Sequence, residues 1–206
     1  MMRLASLGIA VLLGACAAPP SAYYSLSGPL PAEPSPSVRA ADYGVRMEAV
    51  RIPAEVDRPQ LVVRRDAADA DVALLNESLW AAPLADQIRA ALAARVSRAL
   101  DVPDLSLMAA PKDLPLREVA VQVTRFDLVF NQYAGLEANW AEGRHAGSGA
   151  QLCRVVLRVP TAGQGVAALV EAQRTAVALL ADVIAARMDP VAPTPDDPAI
   201  LRDSCT

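Results

Sequence analysis

Apolar and polar positions along the chain fall into two rhythms. Val45, Met47 and Ala49 alternate with Arg46 and Glu48, which predicts a half-buried strand, and the phase then slips to Val50 and Ile52, as a bulge near residue 49 or 50 would cause. Pro53 ends or edges that strand, and Asp57-Arg58-Pro59 reads as a turn. Short strands are predicted over 60–65 and 71–75. At Pro83 the period changes: Leu84, Ile88, Leu92, Val96 and Leu100 recur every four residues, the stripe of an amphipathic helix that stops at 101–104. A connection over 105–117 holds a short strand expected at 105–108. Val119, Val121 and Val123 then alternate with polar neighbours, and Phe126, Leu128 and Phe130 continue on the opposite parity, which places a bulge around Thr124-Arg125. Leu136, Ala138 and Trp140 give a partner strand, and Cys153, Val155, Leu157 and Val159 the next, with a Gly-rich turn over 142–149 between them. A second helix is expected over 164–188, turning Val166, Leu169, Val170, Val177, Leu180 and Ile184 to the sheet and Glu171, Arg174 and Asp182 to water. Two helices and five or six strands predict an α/β two-layer sandwich: a mixed or antiparallel sheet with both helices on one face.

The N-terminus follows neither rhythm. Met1-Met2-Arg3 precedes about ten apolar residues, too few for a hydrocarbon core that needs roughly 20, and the layout is that of a secretory signal. Leu13-Gly14-Ala15-Cys16 resembles a bacterial lipobox, in which Cys16 becomes the first mature residue and carries acyl and diacylglycerol groups; an ordinary cleavage site with a chance Cys is the alternative. Ala17, rather than Asp, after the Cys favours the outer membrane. Six prolines between Ala17 and Ala41 predict an extended tether. Inside it lies Tyr23-Tyr24-Ser25-Leu26, either a membrane-interface belt or a short strand latched onto the domain. The expected organisation is therefore signal 1–15, lipidated Cys and tether 16–41, domain 42–189 and Pro-rich tail 190–206.

Charge and chemistry narrow the function. The 206 residues carry a net charge of -4, and no basic block appears along the sequence, which argues against a nucleic-acid partner. Lys112 is the one lysine among 19 cations, and His145, the one histidine, falls in the Gly-rich turn, a poor scaffold for a base. Ala146-Gly147-Ser148-Gly149 lacks the first glycine of a nucleophile elbow, and Asp66, Asp69 and Asp71 fall in a polar turn and read as solvated charge. With no phosphate-loop, dinucleotide or metal-ligand spacing either, no enzyme, metal or cofactor is expected beyond the acyl group on Cys16. Setting Cys16 aside leaves Cys153 and Cys205. A bridge between them would close a loop of about 50 residues, worth about 4 kcal/mol in the chain-entropy model; the alternative is a buried free Cys153 and a frayed Cys205.

The lipobox, Tyr23-Tyr24-Ser25-Leu26, Val50-Arg51-Ile52-Pro53, Asp57-Arg58-Pro59-Gln60-Leu61-Val62 and Leu79-Trp80-Ala81-Ala82-Pro83-Leu84 together resemble the ABC-type transport auxiliary lipoprotein family, whose best-known members are paraquat-inducible-protein-C-like. The order of the later elements is similar as well. Ala82 departs from a family preference for Glu, and the tail with Cys205 is not a family feature. The resemblance implies an auxiliary subunit of an MCE-type ABC system that moves lipids or other hydrophobic molecules across a Gram-negative envelope. Such a subunit docks, with a ring of copies as one arrangement, against a periplasmic MCE protein and its permease and ATPase. Asp57, Arg58, Pro59, Gln60 and Trp80 are the candidate contacts, with a tight turn and a core plug as the plainer reading. A stand-alone periplasmic lipid-binding module and a structural envelope-assembly lipoprotein are the alternatives.

Overall fold

In the computed structural model residues 20–28, 42–68, 70–143 and 151–206 are described. Eight strands and two helices follow the order β1 (Ala22–Tyr24), β2 (Gly44–Met47), β3 (Gln60–Val63), β4 (Ala73–Trp80), α1 (Leu84–Leu100), β5 (Leu116–Val129), β6 (Tyr133–Gly143), β7 (Gln151–Pro160), α2 (Gly165–Met188) and β8 (Ile200–Cys205). They form a five-stranded sheet, β2-β5-β6-β7-β8, and a three-stranded one, β1-β4-β3. The fold is thus the α/β sandwich expected, with the strands at 60–65 and 71–75 set apart in a second sheet.

The long strand β5 explains the division. Its pairing with β6 shifts register between Val123 and Arg125, where the parity of the apolar residues changes. Three segments ahead of α1 take different stretches of the edge of β5 that β6 leaves free. β2 runs parallel to its first residues, Arg51 bridges Gln122, and Arg64 at the end of β3 bridges Val129. The slip expected near residue 49 or 50 falls in the gap between the first two of these contacts, where Glu48 and Ala49 are both exposed. No strand forms at 105–108; Leu105 instead donates its N–H to the Val45 carbonyl at 2.8 Å.

Both helices cover one face of the large sheet. α1 buries Leu84, Ile88, Leu92 and Val96, the predicted stripe, and ends where Asp101 turns left-handed (φ 52°). α2 is buried on more than one side because it packs on both the sheet and α1, and Leu169, Leu180 and Ile184 are wholly enclosed. Arg95 of α1 clasps Asp182 of α2 through two 2.7 Å hydrogen bonds, which raise the guanidinium pKa. Burying each large apolar side chain in this layer contributes roughly 1.5–3 kcal/mol.

Among the described residues, neither helix nor the small sheet covers the other face of the large sheet, hereafter its open face. Alternate positions of the same strands put Arg46, Arg51 and Arg64 along one margin, Arg125 in the middle, and Arg154, Arg158 and Arg202 on β7 and β8. Arg125 and Arg64 both reach Asp127, and the Arg125 contact raises that guanidinium's pKa. Arg46 pairs with Glu118 and Arg154 with Glu137.

The C-terminal segment is not a tail. After a turn at Pro190, β8 adds to the edge of β7, and Arg187 of α2 pairs with Asp203 at 2.7 Å. Cys153 and Cys205 stand opposite each other in this register and are joined by a disulfide.

Candidate functional site

Three stretches singled out in the sequence meet at one end of the small sheet. β1 lies parallel to β4, pairing Tyr24 with Trp80, and β3 flanks β4 on its other side, pairing Gln60 with Leu79. The closing hydrogen bonds are local and short: Trp80 donates its N–H to the Pro59 carbonyl at 2.7 Å, and Ala81 donates to the Tyr24 carbonyl at 2.8 Å. The tyrosine pair is therefore a latch rather than a loose belt. Its first tyrosine, Tyr23, is 67% exposed, whereas Leu26 two residues past the strand is buried in the core.

Gln87 locks that latch. Its side chain, 6% exposed, accepts the Leu26 N–H on Oε1 at 2.9 Å and donates from Nε2 to the Ala82 carbonyl at 2.8 Å. One buried amide thus satisfies two backbone groups that would otherwise be orphaned where β1 and the start of α1 come together. Gly28, just beyond, passes so close to α2 that an added Cβ would sit 2.9 Å from Nη2 of Arg174. The only sequence signal for Gln87 was a polar residue on the buried side of an apolar stripe, between Leu84 and Ile88.

Asp57, Arg58 and Pro59 are exposed, in a turn in which Val56 donates to the Pro53 carbonyl at 3.1 Å and Arg58 to the Val56 carbonyl at 2.9 Å. Gln60 opens β3 and is half-buried. Trp80 follows the plainer of its two readings rather than the exposed contact: it is 5% exposed and meets Phe126 edge-on at 6.1 Å, so its indole fills the seam between the two sheets. The exposed residues at this end are the Asp57–Pro59 turn, Tyr23 and Ala81-Ala82-Pro83.

Cys16, most of the tether and His145 lie outside the described residues, as does Asp69. Of the other turn carboxylates, Asp66 is held below the usual carboxylate range by the N–H of Ala68 and by Gln132, both at 3.0 Å, and Asp71 is exposed. A cavity of about 420 Å³ opens between the end of α2 and the C-terminal segment; the charged Arg187, Asp196, Asp197 and Asp203 line it alongside apolar Val183 and Ile200. No helix among the described residues is long and apolar enough to cross a membrane.

Residues 24–185 match the family described as ABC-type transport auxiliary lipoprotein component, and the chain belongs to that family. Its fold is shared by the crystal structure of an uncharacterized protein, 20% identical, with a TM-score of 0.68 over 83% of this chain and 100% of that one. A Xanthomonas campestris protein assigned to the family DUF330, 13% identical, has a TM-score of 0.62 over 82% of this chain and 94% of its own. No curated protein matches.

Proposed function

We propose that the protein is a non-catalytic docking subunit of an MCE-type ABC transport system, anchored through acylated Cys16 to the periplasmic leaflet of the outer membrane. The observation that carries this reading is family membership across residues 24–185. The geometry supports it: the segment nearest Cys16 is built into the domain as β1, and the exposed Asp57–Pro59 turn stands beside it. β1 and the proposed contact turn are then parts of one corner of the domain. In this role the transport ATPase and permease reside in partner chains, and the MCE protein supplies the path for lipids or other hydrophobic cargo.

Affinity purification of the full chain from cross-linked membranes tests the partnership. An MCE-domain protein and ABC subunits are expected in the eluate, with recovery reduced by Arg58→Glu; an eluate holding neither class of subunit rejects the reading. Fatty-acid labelling tests the anchor separately: label on the wild type and none on Cys16→Ala is the expected pair.

A further inference from the structure

Scanned along the sequence, the cations are dispersed; folded, they are not. Among the described residues, the open face of the large sheet gathers seven arginines against four carboxylates, Glu118, Asp127, Glu137 and, just past β2, Glu48. Its sign opposes the -4 of the whole chain. The imbalance is greatest on β7 and β8. Arg154 keeps a solvent-exposed pair with Glu137, Arg158 lies over the Tyr133 ring at 4.6 Å, and Arg202 has no carboxylate partner among the described residues. Between these arginines, Leu152 and Leu201 are 54% and 55% exposed, and Val156 is half-buried.

We propose that this face is a membrane-docking surface that lies on a leaflet carrying anionic phospholipid. The chemistry fits an interface in which phosphates sit above alkyl chains. Arginine presents a planar fork that takes phosphate oxygens in pairs, and its stem, with the neighbouring Leu and Tyr side chains, can rest in the headgroup layer. A flat sheet surface meets a bilayer over its whole area, with no cavity required. Proximity favours a membrane over an acidic protein, and here the inference rests on the anchored-lipoprotein reading above. Five residues lie between Cys16 and the start of β1 at Ala22, a reach of at most about 20 Å. The domain is thereby held against the bilayer. A net-negative chain held there is repelled by an anionic leaflet unless it turns a cationic face toward it.

The test uses the full chain carrying Cys16→Ala, sedimented with vesicles of phosphatidylcholine alone or mixed with phosphatidylglycerol. The N-terminal apolar run, with Arg3 and the terminal amine ahead of it, contributes alike to the chain and to its sheet-face variants, so the readout is the anionic-to-neutral ratio and the share of it that the face arginines carry. Partition into the anionic vesicles is expected to exceed the neutral value by tenfold or more and to collapse in high salt. Arg154→Gln, Arg158→Gln and Arg202→Gln together should remove about tenfold or more of it, and the matching triple lysine variant should retain most. Equal partition into the two lipids overturns the proposal, and so does a preference that survives high salt; neither readout depends on a variant folding. If the triple Gln variant keeps its vesicle preference but no longer recovers transport subunits, the face belongs to a protein partner and the membrane assignment falls. If the preference is absent while transport subunits still co-purify, only this proposal fails.

Discussion

The two faces of the five-stranded sheet are built from alternate residues of the same strands, yet they obey different rules. On β7, Cys153, Val155, Leu157 and Val159 turn inward and vanish beneath α2, while Arg154, Val156 and Arg158 turn outward. The inner set is chosen by volume and close packing, and the outer set by sign of charge. Stability should therefore reside almost wholly on one side of the strand, and interaction on the other.

Substituting neighbours on β7 exposes the difference most directly. Leu157→Ala removes a side chain that is 2% exposed and is expected to cost about 2–5 kcal/mol in chemical denaturation, whereas Val156→Ala should cost less than about 1 kcal/mol. Equal losses would mean that the open face is covered in solution. Replacing Cys153 and Cys205 with Ser should lower stability by about 2–4 kcal/mol, since the bridge spans 52 residues. A loss under about 1 kcal/mol would show β8 to be held by strand pairing and the Arg187–Asp203 contact alone.

A smaller loss is expected at the latch. Gln87→Leu leaves the Leu26 N–H and the Ala82 carbonyl unpaired, at about 1–3 kcal/mol, and should speed amide exchange in residues 22–26 before the rest of the domain. Unchanged exchange there would show that β1 is held without this amide. The smallest effect belongs to the open face itself. A double-mutant cycle on Glu137 and Arg154, 2.8 Å apart with the Arg side chain 52% exposed, should return a coupling of about 0.2–1 kcal/mol. A coupling well above that range would make the arginine a stability device and remove the contrast between the faces.

How much of this was legible in the sequence varied with the distance over which each signal acts. α1 and α2 were readable because their stripes repeat within one element, and the β5 bulge because a parity change is local. The separate sheet was not, since alternation in β3 and β4 says that they are strands without naming their neighbours. β8 carries no alternation of its own; only the cysteine count pointed to its place. The residue blocks of the family resemblance did converge in space, yet burial divided them, sending Trp80 to the core and leaving Asp57–Pro59 outside. The arginine face escaped notice because its members span residues 46 to 202 and become neighbours only through pairing of strands distant in the chain.

The position of β8 also bears on how the protein comes into being. A chain emerging from its N-terminus presents β7 some forty residues before β8, so the hydrogen-bonding edge of β7 waits uncovered while α2 is still being delivered. Cys153 waits with it as a free thiol, within reach of any other thiol passing by. β8 is thus the strand that covers the edge of β7, and a chain cut short just before Ile200 would retain both helices but lose Arg202 from the arginine face while offering an open strand to its neighbours.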